Sequence, residues 1–481
     1  MIHRDQRLLR AATACLRALG LFIVFAAVSA PLIILNVQHH RGLSTVDETT
    51  YIDYFHKISR GQYVVRDGDP LDGITLRDRT CRGIPPYVRA NPKTCTAAIP
   101  PPAERNTASI DPPAYYWITS ALARTIRRSG LNHDFIDSLR LTGIVWAGAA
   151  LTVVWLLARS LGASRVPATA VALSCLGTSG LLMQWDHVTP HAASLFVGGV
   201  VSLLIVRWFK TGHGFGLLAL GGCLAGLFKL SDVIVAVLGG ASCLLAALQY
   251  RTRSGSPTEV PATEVPATEV PATEVPATEV PATEVPATGS ARRQLIGAAT
   301  ILGALAITSL AWVVYRDHVG YASSNAISSF DATRFDVNWI FGSTGRFLGP
   351  LASDSPFVAI WVFGVVAVGQ AAWSEREAHS SRPGPADPLS PNEASGFGFT
   401  ALAQGAIATL TFGAPLLTAA IYVVTSQYVP AANRYGISLI PLVLAFGAAR
   451  MNRRFLAVTA CALVAASLYV SWAASITMTK T

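Results

Sequence analysis

Charged side chains are scarce in this sequence. Of its 481 residues only 14% are Asp, Glu, Lys or Arg, whereas 51% are hydrophobic. Soluble domains carry about a quarter charged residues, so this composition argues against a water-soluble globular protein. Acidic residues are the rarer sign, 28 against 37 basic ones, and the formal net charge is +9. The composition is that of a membrane protein.

Long apolar runs account for this composition. They recur at lengths of about 17–22 residues, enough to cross a bilayer as helices, and lipid offers the backbone no hydrogen bonds. We therefore predict an all-α polytopic membrane protein with about 11 transmembrane helices. The predicted spans lie near 16–37, 141–158, 166–184, 189–207, 214–230, 232–249, 294–315, 354–373, 399–425, 435–449 and 455–475.

Basic residues predict the orientation of these spans. They flank alternate spans, and all fall on one side if the N-terminus is cytoplasmic and the number of spans is odd. They are Arg4, Arg7, Arg10, Arg17, Arg159, Arg165, Arg207, Lys210, Arg251, Arg253, Arg292, Arg293, Arg450, Arg453 and Arg454. The first span lacks a convincing cleavage site, so we expect a retained anchor in the plasma or inner membrane. Topology explains the net charge, and the expected partners are membrane lipids and not nucleic acid.

Three parts follow one another along the chain. An N-terminal transmembrane module covers 1–250, a cytoplasmic linker covers 251–293, and C-terminal transmembrane helices cover 294–481. The linker holds six copies of Thr-Glu-Val-Pro-Ala. Proline at every fifth residue excludes a helix and favours an extended chain. The first module contains a long extracytoplasmic loop, 38–139, and loops of this length usually carry function or are disordered.

This loop is predicted to carry two surface helices. Apolar residues at helical spacing from Tyr51 to Ile58 predict the first. Asp111 followed by two prolines is typical of the start of the second, which runs through Tyr115. We expect both helices to lie at the membrane surface, with their aromatic side chains at headgroup level. The segment between them is expected to be irregular.

Two cysteines, Cys81 and Cys95, lie in that intervening segment. Because disulfides persist outside the cytoplasm, we predict that the two are joined, and a pair of free thiols is the alternative. Their spacing is not that of a metal site.

An acidic pair, Asp47-Glu48, directly precedes the first surface helix. Thr45 and Glu48 are spaced as in a capping box, and so are Ser44 and Asp47, so one interpretation is that the pair only begins the helix. The other interpretation is that an acid just outside the first span is a catalytic carboxylate.

Further polar residues are predicted at the same face of the membrane. Asp111 heads the second surface helix, Asp186 and His187 occupy a short turn, and Arg434 lies at the mouth of a late span. A carboxylate accepts the proton of an attacking hydroxyl, and arginine neutralises a departing phosphate. Transfer from a lipid phosphate needs both groups. His187 and His191, four residues apart, are either metal ligands or simply solvated.

At these residues the chain resembles the GT-C glycosyltransferases, and most of all the branch with protein O-mannosyltransferases and lipid A aminoarabinose transferases. The resemblance implies a polytopic enzyme that takes a sugar from a polyprenyl-phosphate carrier on the outer face of the membrane and inverts the anomeric centre. The matching segments are Asp47-Glu48, Pro112-Pro113-Ala114-Tyr115-Tyr116, the turn around Asp186, and Arg434-Tyr435 with Pro441.

The resemblance also implies a role for each matching residue. Asp47 would be the general base, and Glu48 would support it or hold a metal, since some relatives use a divalent cation and others do not. Asp111 would contact the acceptor, and Arg434 would face the carrier phosphate. The other implied substrate-binding residues are Tyr115, Asp186, His187 and Tyr435. The identity of the sugar and of the acceptor stays open.

A transporter or a flippase for lipid-linked sugars is the alternative function, and a catalytically silent scaffold is a third. Transporters tend to show two similar halves and charges in mid-membrane. The sequence shows no such halves, and Lys229 and Asp232 are almost the only charges within its apolar regions. These two either form a buried pair or mark an external turn.

Overall fold

The computed structural model describes residues 2–45, 47–66, 69–95, 106–254, 291–319, 362–373, 391–425, 433–451 and 465. Within these residues the regular structure is helical, and Ile84 pairs with Val88 in an isolated antiparallel β-bridge. The α-helices are α1 (Ile2–His39), α2 (Glu48–Ser59), α3 (Gly73–Arg82), α4 (Ala114–Arg128), α5 (Phe135–Leu141), α6 (Gly143–Ser160), α7 (Arg165–Ser174), α8 (Ser179–Asp186), α9 (His191–Thr211), α10 (Phe215–Phe228), α11 (Val233–Ser254), α12 (Ala291–Val319), α13 (Val362–Trp373), α14 (Pro391–Thr425) and α15 (Ile440–Arg450).

Six stretches of described helix are long and apolar enough to cross a membrane. They are Ala12–His39, Phe135–Ser160, His191–Thr211, Leu230–Thr252, Ala291–Arg316 and Gly398–Ala420. Helices α7 and α8, bent by 68° where they meet, would make a seventh if the pair is one span. The predicted all-α class is confirmed for the described residues, and their apolar helices are consistent with a membrane protein, but the predicted number of 11 spans is not confirmed.

The structure shows fewer membrane-length helices than the 11 predicted spans because some predicted spans are short or broken and others lie outside the described residues. Helix α10 has 14 residues and rises about 21 Å, less than the ~30 Å hydrocarbon core. Helix α15 has only 11 residues and continues a 3₁₀ segment, Asn433–Leu439. Of the span predicted at 354–373 the structure describes α13 alone. The span predicted at 455–475, except for residue 465, and the linker repeats lie outside the described residues.

The described part of the connection 38–139 is folded, and the prediction that its middle is irregular is wrong at Gly73–Arg82, where a helix forms. Helix α3 occupies that middle, and the buried Asp53 of α2 holds it in place. The Asp53 Oδ1 atom accepts hydrogen bonds from the Asp72 amide at 2.7 Å and from the Thr75 hydroxyl at 2.9 Å. The predicted disulfide between Cys81 and Cys95 is present and closes the end of α3.

Helices α2 and α4 pack on each other through their aromatic faces. Tyr54 and Tyr116 stack with ring centroids 3.9 Å apart, and Phe55 meets Tyr115 edge to face at 6.1 Å. All four side chains are buried. The apolar stripes therefore form a core between the two helices, because each stripe completes the burial of the other.

The ends of several apolar helices meet beside the start of α2. His191 begins α9, Lys229 follows α10 directly, and the Asn433–Leu439 segment packs across α9. This crossing is close: a β-carbon at Gly198 would overlap the backbone carbonyl of Ser438. Glycine at this position lets the Asn433–Leu439 segment approach α9 closely. Arg434 of this segment thereby lies beside the start of α2.

Candidate functional site

Asp47 occupies the N-cap position of α2, but its side chain does not cap the helix. Its backbone carbonyl accepts the amides of Thr50 at 3.0 Å and Tyr51 at 3.2 Å. Its φ of 59° lies in the left-handed region, where no other described non-glycine residue is found. Aspartate tolerates that region better than most residues, but it still costs about 1–3 kcal/mol. The interpretation that the Asp47 carboxylate only begins the helix is wrong, because that carboxylate points elsewhere.

The carboxylate of Asp47 pairs with Arg434, 387 positions later in the chain. Asp47 Oδ2 lies 2.7 Å from Arg434 Nη2, and the two side chains are 45% and 20% exposed. The guanidinium lies over the ring of Tyr435, 5.7 Å from its centroid. Its Nε is buried and has no hydrogen-bond partner in the described part of the chain. Arg434 therefore keeps an unused donor beside a carboxylate that solvent can reach.

A second ion pair lies behind the first. Lys229 Nζ contacts Asp111 Oδ2 at 2.8 Å, and both side chains are buried. Burial opposes the charged form of Lys229, but the Asp111 carboxylate outweighs it and holds the pKa of Lys229 above its ordinary value. The interpretation that Lys229 pairs with Asp232 is wrong, because Lys229 pairs with Asp111 of the connection 38–139.

Aromatic side chains join the two ion pairs. The ring of Tyr51 lies under Lys229 Nζ, 5.7 Å from its centroid, and Asp47 and Arg434 are close enough to act on it electrostatically. Burial raises the pKa of Tyr51 to about 12, so its hydroxyl is neutral at ordinary pH. His191 stacks on Tyr435 at 5.7 Å and faces both cations. We call these residues the two-pair site: Asp47, Tyr51, Asp111, His191, Lys229, Arg434 and Tyr435.

Glu48, the other acid of the pair, lies in a different network. It is 1% exposed, and Arg140 of α5 binds it with two nitrogens, Nε to Oε1 and Nη2 to Oε2, each at 2.9 Å. The amides of Ser44 and Val188 donate to the same carboxylate at 2.6 and 2.9 Å. Burial by itself raises the pKa of a carboxyl group, but Arg140 and His187 outweigh it and lower the pKa of Glu48. Four donors fill the acceptor positions of this carboxylate.

Asp186 and His187 extend that network. Asp186 Oδ2 accepts from the Asn36 amide at 3.0 Å, and Asp186 Oδ1 contacts His187 Nδ1. Burial opposes the imidazolium, but the Asp186 carboxylate outweighs it, and the pKa of His187 lies above its ordinary value. We call this the Glu48 network: Asn36, Glu48, Arg140, Asp186 and His187. Its groups are paired with one another, and it joins α1, α2, α5 and the turn after α8.

The structure therefore divides the predicted site residues into three places. Asp47, Asp111, Arg434 and Tyr435 meet in the two-pair site. Glu48, Asp186 and His187 belong to the Glu48 network. Tyr115 lies in the aromatic core between α2 and α4.

Sequence reasoning did not name Asn36 or Arg140, and it considered Lys229 only with Asp232. Arg140 and Lys229 are charges at the edge of apolar runs, which is the available signal for a functional or paired group. Neither partner could be assigned, because Asp111 and Lys229 are 118 positions apart, and Glu48 and Arg140 are 92 apart.

The donor set for a divalent cation does not fit these residues. Glu48 is saturated, His187 is engaged with Asp186, and His191 lies in the other cluster against Tyr435. In the part of the chain that the structure describes, no three His, Cys, Asp or Glu side chains are grouped as metal ligands. We assign no step to a metal.

Comparison with known proteins gives no match: neither a protein-family model, nor a curated protein, nor a solved structure matches the chain. The chemistry of the two-pair site is what bears on function. It offers a solvent-accessible carboxylate, which can accept a proton, and two cations, which can hold an anion.

Proposed function

We propose that this protein is an integral membrane glycosyltransferase of the GT-C type, which moves a sugar from a polyprenyl-phosphate donor to an extracytoplasmic acceptor. The observation that carries the proposal is the contact of Asp47 with Arg434, a half-exposed carboxylate held by one guanidinium, with the cation Lys229 behind it. A proton acceptor beside two positive charges suits the displacement of an anionic leaving group.

In the proposed reaction an acceptor hydroxyl attacks the anomeric carbon of the donor sugar. The new bond joins the acceptor oxygen to that carbon. The bond that breaks joins the carbon to a phosphate oxygen, which leaves with the electron pair. The hydroxyl proton passes to Asp47, and the added negative charge of the lipid phosphate is held by Arg434. Attack opposite to the leaving oxygen inverts the anomeric centre.

The pairing of Asp47 with Arg434 fits this sequence of events. A donor phosphate competes for the guanidinium as a charge-assisted acceptor, and the unused Nε of Arg434 is a second donor for it. As the phosphate engages Arg434, the Asp47 carboxylate loses its partner and is free to receive the proton of the acceptor hydroxyl. Lys229 adds a second positive charge, and Asp111 keeps it protonated until the donor arrives.

We place the site on the extracytoplasmic side of the plasma or inner membrane. Its residues come from the 38–139 connection and from the adjoining ends of α9, α10 and the Asn433–Leu439 segment. The basic residues that flank alternate spans, which are typical of the cytoplasmic side, lie at the other helix ends.

One buried residue favours a second candidate, a transporter or a flippase for lipid-linked sugars. Asp232 lies in the span Leu230–Thr252, is 1% exposed and forms no ion pair with a described side chain. Buried carboxylates within spans mark proton and ion paths in many transporters. The glycosyltransferase is preferred because transport gives no role to the solvent-accessible Asp47 carboxylate.

Release of polyprenyl phosphate tests the proposal. The full chain is reconstituted in phospholipid vesicles with radiolabelled polyprenyl-phosphate mannose, glucose or arabinose and an envelope extract as the source of acceptors. We expect wild type to release polyprenyl phosphate from one of these donors. We expect Asp47→Asn to release it at least about 100-fold more slowly. Asp134→Asn is the matched control, because Asp134 is 48% exposed and also pairs with an arginine, Arg82.

The outcomes separate the candidate functions. Equal release by wild type and Asp47→Asn would remove Asp47 from the mechanism. Movement of the labelled donor across the vesicle membrane without release, lost in Asp232→Asn, would favour the transporter.

A further inference from the structure

An open groove lies on the outside of the α2–α4 pair, away from the two-pair site. Its volume is about 510 Å³. It is lined by Ile58, Tyr63, Trp117, Ser120, Ala121 and Arg124. The floor is apolar, and Trp117 is fixed across it by a hydrogen bond from its Nε1 to the Tyr63 carbonyl at 2.7 Å. Trp117 and Tyr63 nevertheless stay 47% and 61% exposed.

The groove continues into a basic stripe on α4. Trp117, Ala121, Arg124 and Arg128 follow one another at positions i, i+4, i+7 and i+11, which places them on one helix face. All four are exposed. Trp117 and Arg124 are about 10 Å apart along the helix axis. The face is thus apolar at one end and cationic at the other.

These arginines have no acidic partner in the described chain. No described carboxylate lies within ion-pair distance of Arg124 or Arg128, and Arg127, beside them, lies 5.6 Å over the ring of Phe135. Two exposed guanidiniums beside an apolar floor are complementary to an anion that carries an apolar chain.

The groove lies at the level where a membrane span ends. An adjoining groove of about 470 Å³ shares Tyr63 and is lined also by Tyr315 and Val319 of α12. The apolar span of α12 ends at Arg316. Trp312, one turn earlier, donates to the backbone carbonyl of Ile110 at 3.1 Å and ties the 38–139 connection to this depth. Span ends with aromatic residues lie at lipid headgroup level.

We propose that this groove binds one anionic phospholipid of the surrounding leaflet. Its acyl chain lies along Tyr63, Trp117 and Ala121, and its phosphate contacts Arg124 and Arg128. The lipid fixes α4, and through the aromatic core it fixes α2, against the bilayer surface. The site does not depend on the proposed transferase activity, because none of its residues belongs to the two-pair site.

Quenching of tryptophan fluorescence by brominated lipid tests the site. The full chain is placed in phosphatidylcholine nanodiscs with increasing fractions of phosphatidylglycerol brominated on its acyl chains. The Trp117 signal is the difference between wild type and Trp117→Phe. We expect brominated phosphatidylglycerol to quench this signal at a several-fold lower fraction than brominated phosphatidylcholine does. Arg124→Gln and Arg128→Gln should each weaken that preference about fivefold, from ~1 kcal/mol per basic residue near a lipid surface.

Arg165→Gln is the matched control, because Arg165 is an exposed arginine at the start of α7 and its loss should leave the preference unchanged. Ala121→Phe, which fills the groove, should abolish the quenching and serves as a second test if Trp117→Phe does not fold. Equal quenching by the two lipids would overturn the anionic site. So would relief of the quenching by polyprenyl phosphate, which would make the occupant a prenyl chain.

Discussion

Asp47 and Glu48 are neighbours in the sequence with opposite surroundings in the structure. Glu48 is 1% exposed and receives four hydrogen bonds, from Arg140 and two backbone amides. Asp47 is 45% exposed, has a left-handed backbone and contacts one guanidinium. The Glu48 network is paired throughout, whereas the two-pair site retains an unused donor at Arg434 Nε.

This difference indicates that the two acids have different roles, a structural one for Glu48 and a chemical one for Asp47. The Glu48 network fixes the start of α2 against α5 and the turn after α8, because a buried ion pair is costly to break from one side. A helix start that is held there can keep Asp47 in a strained conformation.

Removing the charge of Glu48 should cost the most stability. Glu48→Gln leaves the Arg140 guanidinium buried without its anion, so we expect the free energy of unfolding to fall by about 3–5 kcal/mol. Asp47→Asn breaks a half-exposed pair and should change it by less than about 1 kcal/mol. Denaturant titration of both variants in the same detergent measures the two values. Equal losses would mean that the two acids do not differ in role.

The buried Asp111–Lys229 pair should behave like the Glu48 network in stability but not in function. Lys229→Met strands the Asp111 carboxylate and should destabilise the protein by about 3 kcal/mol. Adding Asp111→Asn should restore most of that stability, because the second change removes the unpaired charge. Binding of a polyprenyl-phosphate donor should stay weak in the double variant. Recovery of donor binding together with stability would limit Lys229 to a structural role.

Arg434 should affect donor binding more than stability. Arg434→Gln removes a charge-assisted contact to phosphate, so we expect donor affinity to fall about 10- to 100-fold. Affinity is measured by equilibrium binding of a radiolabelled polyprenyl-phosphate sugar to the purified chain. Arg82→Gln, at the matched pair with Asp134, is the control and should leave affinity unchanged. Loss of affinity in both variants would indicate a general effect of charge.

The smallest effect is a pH dependence of stability that arises in the Glu48 network. The pKa of His187 is raised, so its pairing with Asp186 stabilises the fold fully below pH 6.5 and progressively less as pH rises through the raised value. The melting temperature of wild type should fall across that range, and that of His187→Asn should fall less. Parallel curves would mean that His187 does not carry a stabilising charge.

The sequence predicted the fold class because membrane burial imposes one simple pattern, the long apolar run. It did not predict the number of spans, because α10, α15 and the bent α7–α8 pair are apolar without being long straight helices. Helix α3 was missed because it has few buried side chains, with Thr75 and Leu76 the two buried residues within it. Polar contacts through Asp53 hold it, and such contacts leave no periodic apolar signal.

Of the predicted site residues, the structure brings some together and separates others. Asp47, Asp111, Arg434 and Tyr435 were named together and do lie together. Arg140 was not named, and Lys229 was considered only with Asp232, because a charge at the edge of an apolar run does not reveal its partner. Both partners come from the 38–139 connection, and only its folded path brings Asp111 to Lys229 and Glu48 to Arg140.

A single turnover of sugar transfer with the donor already bound tests whether Asp47 is the proton acceptor. Donor occupancy and the rate of polyprenyl phosphate release are measured on the same preparation of wild type and Asp47→Asn. We expect equal occupancy and a release rate at least about 100-fold lower in the variant, because only the proton acceptor is lost. Release at the wild-type rate from a fully occupied Asp47→Asn protein would contradict this expectation.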